Sequence, residues 1–300
     1  MGKVLAQAVI QRDPKKGAQK LKIKHRYQLL GLSKQGYYQY VKRSAQNDHF
    51  EQQICLLVRD IRRVMPRIGT RKLLVILKPQ LELRHIKIGR DRLFGILRKH
   101  YLLISKRRRY QITTMSKHQF FKYTNLIKDI NISKPEQVWV ADITYIRTSQ
   151  GFRYLHLVTD AYSKRIMGYE LADNMKIETA MKAARMAIRS RTYDHPLIHH
   201  SDRGLQYCHN SYTQLLTQHN IQISMTTKYD PYENAIAERV NGILKQEFDI
   251  GEGFLNHLQA IKWIKESVEV YNQKRPHLSC GMLTPSVAHK TKQPLTKLWK

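Results

Sequence analysis

The 300 residues carry 53 Lys and Arg against 23 Asp and Glu, a formal net charge of +30 and a pI near 10.1. Such an excess points to a polyanion, most economically nucleic acid, and 42% hydrophobic residues suffice for two or three small domains with a sizeable core. No apolar run of signal-peptide or membrane-spanning length occurs, and Ala6 stands where a myristoylation signal needs Ser or Thr. A cytoplasmic protein without a membrane partner is therefore expected. Cys55, Cys208 and Cys280 are too scattered for a disulfide framework or a zinc-binding His/Cys module.

The charge is unevenly placed. Residues 1–134 hold 32 basic and 7 acidic side chains, residues 135–300 hold 21 and 16. An N-terminal half built to grip phosphates and a more neutral C-terminal half follow from this; a merely solubilising basic surface would account for the charge alone. After a polar lead, Met1 to Gly17, the sequence predicts a helix over Gln19–Leu30, stopped at Gly31. Ser33 then caps a second helix to about Arg43. An amphipathic helix over Glu51–Val64 ends before Pro66 and Gly69, and Thr70 reads as the cap of Arg71–Lys78. Gly89–His100 forms the next helix, carrying Arg90, Arg92, Arg98 and Lys99, a cationic face suited to DNA phosphates or a groove. The run Lys106, Arg107, Arg108, Arg109 suits a phosphate backbone about as well as a solvated linker. Polar residues continue to Lys134-Pro135, the expected domain boundary.

Beyond it, Val138–Ile146 is β-branched and aromatic and reads as a strand whose alternation puts Val138, Val140, Asp142, Thr144 and Ile146 on one face. An aspartate in mid-strand is a poor strand former and costly to bury unless it binds a metal or a proton. Gln150-Gly151 turns into a strand Tyr154–Asp160, and Ser163-Lys164 into Ile166–Leu171; a helix Ile177–Arg189 follows. Pro196–Ser201 is a short strand with Asp202 at its C-terminal end, where α/β sheets place ligand-binding groups. A helix Asn210–His219 and a strand Ile221–Met225 lead into the last motif. Asp230, Pro231 and Glu233 read as N-cap, first helical residue and capping partner. In the helix that follows, Ile236, Val240, Ile243, Leu244 and Phe248 form an apolar stripe, while Asn234, Glu238, Asn241 and Lys245 share a polar face. Asp142 and Asp202 lie 60 positions apart, and 35 residues separate Asp202 from Glu238.

VWVADITYI, HHSDRGLQY and DPYENAIAERVNGILKQE, in this order and at this spacing, closely resemble the motifs of DDE transposases and retroviral-type integrases. They are most similar to those of the second-reading-frame product of insertion sequences in the IS-three family. The resemblance runs from about Ile54 to the segment YNQKRPHLSCGMLTPSVAH. It implies an α/β fold: a ribonuclease H-like catalytic core, with a mixed five-stranded sheet and flanking helices, preceded by a small all-α helix-turn-helix DNA-binding region. It also implies that Asp142, Asp202 and Glu238 are the catalytic residues and hold two Mg²⁺ or Mn²⁺ ions, roughly 3.5–4 Å apart, with Lys245 on DNA nearby. The reaction implied is metal-dependent cleavage and strand transfer in transposition. A ribonuclease H-type nuclease and a domesticated, non-catalytic DNA-binding regulator are the alternatives. The 17 tyrosines raise a tyrosine recombinase, but no Arg-His-Arg set accompanies them. Asp160 is expected to do turn or strand-end chemistry, and His199, His200 and His209 to pack locally, since hard ions prefer oxygen.

The domains expected are 1–48, a basic helix-turn-helix-like segment; 49–105, a helix-turn-helix DNA-binding domain; 106–134, a basic and polar linker; and 135–300, the integrase core with a helical extension. Partners implied by the resemblance are the element's terminal inverted repeats, target DNA and further copies of the chain in a bacterial nucleoid. In that family an upstream frame adds a helix-turn-helix and a coiled coil by frameshifting. No leucine heptad run of that length occurs here. An upstream-frame product, fused or as a partner, is thus expected to be needed for tight binding.

Overall fold

Two compact units make up the chain, Met1–Leu57 and Val58–Lys300. The computed structural model describes residues 23–105, 120–227 and 234–296. In the first unit α1 (Ile23–Leu29) ends at Gly31, whose φ of 63° lets the Leu32 N–H reach back to the Tyr27 carbonyl at 2.9 Å. The start expected for this helix, residues 19–22, lies outside the described residues. Ser33 then caps α2 (Lys34–Val64), its Oγ accepting from the Gly36 N–H at 3.0 Å. Two helices were expected from Ser33 to Val64, but one runs through. No Gly or Pro interrupts residues 44–50, and the Asn47 side chain donates to Glu51 Oε1 one turn on at 2.8 Å. The boundary between the units falls within this helix.

In the second unit, α3 (Thr70–Leu83) differs from its predicted span at both ends. Gly69 is its N-cap, Thr70 being already helical, and it passes through Pro79 instead of stopping at Lys78. Leu73, Leu77 and Leu81 are all buried along one stripe, so packing on both sides of Pro79 outweighs the missing hydrogen bond. α4 (Arg90–Lys99) is one residue shorter at each end than the predicted Gly89–His100, which are its caps, and buries Leu93, Ile96 and Leu97.

A five-stranded sheet follows: β1 (Val138–Thr148), β2 (Gly151–Asp160), β3 (Ile166–Ala172), β4 (Leu197–Ser201) and β5 (Ile221–Met225), in the order β3-β2-β1-β4-β5. β1, β2 and β3 are antiparallel neighbours, whereas β4 runs parallel to β1 and β5 parallel to β4. β1 and β2 alternate as their sequences require. Trp139 and Ala141 face one layer, Val138 and Val140 the other. On the first face lies α5 (Ile177–Arg189), through a stripe of Ala180, Ala183, Ala184 and Ala187, with α6 (Leu205–Cys208) and α7 (Asn210–Gln218) beside it. α6 lies outside the helices predicted.

On the second face lies α8 (Ala235–Glu247), burying Ala237, Val240, Ile243 and Leu244 as its pattern demands. It begins later than the sequence pattern placed it, and the Asp230–Glu233 capping reading lies outside the described residues. α9 (His257–Lys274) starts at Asn256, whose side chain accepts from the Gln259 N–H. Near its end, the Asn272 amide bonds both the N–H and the carbonyl of Ile166 at 3.0 Å, closing the start of β3. α10 (Pro285–Lys290) is capped by Thr284 with proline at its first turn.

Candidate active site

The strand register sets the position of two acids. The β1–β4 ladder ends at the pair Ala141 and Ser201, so Asp142 and Asp202 are each the next residue along their parallel strands. Adjacent strands lie roughly 4.8 Å apart, so the end of this short ladder brings together two carboxylates 60 positions apart in sequence. β4 stops there because Gly204 follows and turns the chain into α6, its N–H donating to Asp202 Oδ1 at 3.0 Å. β1 continues beyond β4 on that side and meets only an isolated parallel bridge from Thr148 to Phe254.

α8 brings its polar face to the same place. The Asn241 amide donates to Asp142 Oδ2 at 2.7 Å, and Asp142 Oδ1 accepts the Ile143 N–H at 2.8 Å. Asn234, at the head of α8, donates to the Ala141 carbonyl at 3.2 Å. Glu238 lies exposed on this face, and Lys245 is half-buried two turns further along.

The charges respond to one another. Burial pushes the Asp142 carboxyl up to about 7; the Asp202 and Glu238 charges push the same way, against the Asn241 and Ile143 hydrogen bonds. Burial also raises Glu238. Lys245 is lowered by burial, while the Asp142 charge holds it up. Burial lifts the Tyr207 phenol well above its ordinary value, with Tyr212, Asp142 and Asp202 adding to the effect. One electrostatic neighbourhood therefore contains Asp142, Asp202, Glu238, Lys245 and Tyr207. Among the described residues, however, no three His, Cys, Asp or Glu side chains are closed into a ready-made metal cage.

The other acids and histidines have structural work. Asp160 faces away from Asp142, because it pairs with Trp139 across the β1–β2 ladder. It accepts from the Glu136 N–H at 2.6 Å, from the Ser163 N–H at 2.7 Å and from Ser163 Oγ at 2.6 Å, the strand-end role expected of it. Ser163, His289 and Glu136 are linked in a row, with Ser163 Oγ 3.0 Å from Nδ1 and Glu136 Oε1 3.1 Å from Nε2. All three are fully buried and Ser163 spends its proton on Asp160, so the row is a clamp on α10 and not a nucleophile. His199 Nε2 meets Tyr212 Oη at 3.0 Å, His200 Nδ1 meets Ser224 Oγ at 2.8 Å, and His209 caps α7.

Arg90, Arg92, Arg98 and Lys99 all lie on the exposed side of α4, and Arg90 pairs with Asp91 at 2.8 Å. Arg107, Arg108 and Arg109 lie outside the described residues. Sequence reasoning placed Asn241 on the polar face without a task. Its position three residues after Glu238 was the available signal, since that spacing returns to the same side of a helix.

A mixed sheet of this order, with acids where β1 and β4 part and a helix crossing above, is the fold of an integrase core. Two sequence-family models, each described as integrase core domain, match residues 132–231 and 219–285. An insertion element IS600 uncharacterized 31 kDa protein of Shigella sonnei is 34% identical over 263 residues, 86% of this chain and 95% of that protein. The transposase InsF for insertion sequence IS3A of Escherichia coli (strain K12) is 34% identical over 191 residues, and the matched part covers 63% of this chain and 66% of InsF. Among solved structures, the HTLV-2 integrase catalytic core domain in complex with magnesium matches with 18% identity and a TM-score of 0.42, over 52% of this chain and 97% of that domain. The chain belongs to the IS3 family of insertion-sequence transposases and carries an integrase core domain. Among the described residues, no helix is long and apolar enough to cross a membrane.

Proposed function

We propose that this protein cuts DNA at the ends of an insertion sequence and joins the resulting 3′-ends to target DNA, with Asp142, Asp202 and Glu238 as the catalytic acids. What supports this reading is that Asp142 and Asp202 follow the end of the parallel β1–β4 ladder beneath α8, and that burial together with the Asp202 and Glu238 charges pushes Asp142 up to about 7. Both the burial and the repulsion behind that shift are relieved by a cation, and an all-oxygen donor set fits hard divalent ions, which share their coordination with water and phosphate oxygens. Asp142, Asp202 and Glu238 would hold Mg²⁺ or Mn²⁺. When bound, such ions stabilise charge on the phosphate and ease deprotonation of the attacking hydroxyl.

The protein's own groups orient the site. Asn241 and the Ile143 N–H fix the Asp142 carboxylate through one oxygen each. Lys245, beside Asp142, offers an ammonium to the strand next to the scissile phosphate. Attack by water on the phosphodiester breaks the P–O3′ bond and leaves a 3′-hydroxyl. In joining, that hydroxyl attacks a target phosphate and releases the target's own 3′-oxygen, which takes up a proton. The exposed cations of α4 and the basic run Arg107–Arg109 supply sequence-independent grip in this reading. Two ends must be paired, so the active species is an oligomer on DNA, aided by an upstream-frame product.

A strand-transfer assay with a pre-cut 3′-end tests the reading. Products joined to a second duplex are expected, lost in Asp142→Asn and Asp202→Asn while DNA binding persists. Nicks alone would establish a nuclease, and binding without either product a regulator.

A further inference from the structure

α3 and α4 end in the same way, and neither end uses glycine. After α4 the Leu102 N–H donates to the Leu97 carbonyl at 2.7 Å and the Tyr101 N–H to the Arg98 carbonyl at 3.2 Å, which puts Tyr101 in the left-handed region at φ 55°. His85 takes that place after α3, at φ 54°. A Cβ in this conformation crowds the neighbouring carbonyl, so the position favours glycine, and a bulky ring is an outlier there. Glu136 and Lys164, also at positive φ, are held by their side chains: Glu136 accepts from the Thr192 and Tyr193 N–H groups, and Lys164 bonds the Ala161 carbonyl. Tyr101 has no such hold. It is 95% exposed, and among the described residues its hydroxyl makes no hydrogen bond and its ring no aromatic contact. One turn back, Arg98 is exposed and forms no ion pair among the described residues.

We infer that Tyr101 is a stacking platform for one nucleobase of a bound DNA strand, with Arg98 against the phosphate beside it. The inference rests on the DNA-processing reading above and adds a base contact outside the candidate active site. The fold itself gains nothing from a strained backbone that holds a phenol ring wholly in water. A base does gain, since every base offers a flat π-face to an aromatic ring that stands clear of the protein. The cation on the last turn of α4, in a chain of net charge +30, selects a polyanion over an apolar protein surface.

Binding of two fluorescein-labelled single strands to the full chain tests it, one of mixed sequence and one of the same length made of abasic sites. Tyr101→Gly removes the ring and relieves the backbone together. Its melting temperature should rise by a few degrees, while its affinity for the mixed strand falls about fivefold or more. Its log–log salt slope should stay that of the wild type, because no phosphate contact is lost. The two proteins should bind the abasic strand equally. Tyr101→Phe keeps the ring and should keep the affinity, and His85→Gly, the same backbone change after α3, should gain stability without losing affinity. Wild-type affinity of Tyr101→Gly for the mixed strand would overturn the inference. So would a loss of equal size on the abasic strand, which would mean a backbone contact, or an equal loss in Tyr101→Phe or His85→Gly. If Asp142→Asn still joins ends while Tyr101→Gly shows the base-dependent loss, the catalytic reading fails and the stacking site stands.

Discussion

Arg275 grips Glu247 at two points, Nε to Oε2 and Nη2 to Oε1, both at 2.8 Å, with the guanidinium only 1% exposed. Lys72 of α3 reaches Oε1 as well, and the Arg67 N–H donates to the Glu247 carbonyl at 3.0 Å. One carboxylate thus ties α3 and the end of α9 to the last residue of α8. Burial pushes Glu247 up, but the bonds and charges of Arg275 and Lys72 more than offset it and hold the group below the usual range. Lys72 goes the other way: burial and the Arg275 charge bring it down to about 8 despite Glu247. Arg275 is therefore the principal partner. Glu247→Gln, which leaves two buried cations short of a counter-charge, should lose about 3–5 kcal/mol in urea unfolding. Lys72→Met should cost distinctly less. Equal losses in the two variants would contradict this ranking.

Asn241→Ala tests the support of Asp142. Removing a partner that orients a metal-binding carboxylate typically costs about 10–100-fold in activity or metal affinity. Strand transfer should fall by that order, with a raised Mg²⁺ requirement and unchanged DNA affinity. Wild-type joining rates at limiting Mg²⁺ would show that Asn241 is dispensable.

Gly168 on β3 lies directly under α5. A Cβ there would stand 2.1 Å from the Ala183 carbonyl oxygen and 2.6 Å from the Ala187 nitrogen, both backbone atoms that cannot swing aside. Gly168→Ala should force the helix off the sheet and cost about 1–3 kcal/mol or more, read as a lowered melting temperature with secondary structure retained.

His289 gives a pH signature. Burial lowers it, but Asp160 and Glu136 outweigh that and raise its pKa in the folded protein. A raised histidine stabilises fully below its unfolded value, near 6.5, and loses that contribution as pH rises through the folded value. Wild-type stability should therefore carry a component that fades as pH rises beyond the ordinary histidine range, absent in His289→Gln. Parallel pH profiles for the two proteins would refute the assignment.

Local pattern made much of this fold legible. The helix Ile177–Arg189 and strand Ile221–Met225 match their predicted spans, because the periodicity there is clean and the ends are marked. Pro79 misled, since a propensity rule cannot know that Leu77 and Leu81 will both be buried. The gap expected between Arg43 and Glu51 has no Gly or Pro to enforce it. The acids were legible as misfits, above all Asp142 inside a β-branched run. What the sequence could not display was their junction, which depends on the ladder ending at Ala141 and Ser201. The Glu247 tie was invisible for the same reason: Lys72 and Arg275 lie 175 and 28 positions from it.

The order of the sheet also dictates when the three acids come together as the chain is made. β1, β2 and β3 are joined by tight turns, so this hairpin ladder closes over short loops, whereas β4 must return to β1 across β2, β3 and α5. Glu238 arrives only with α8, after β5. A nascent chain that has emerged as far as β3 holds Asp142 alone, and one that has emerged as far as β5 still lacks the third acid. Translation thus delivers the three carboxylates one at a time: the larger repulsion on Asp142, from Asp202, sets in when β4 pairs with β1, and Glu238 adds its smaller share last. On the proposed function, an unfinished chain carries the basic N-terminal half without the full set of acids, so a truncated product is expected to bind DNA without cutting it and to compete with the full-length chain.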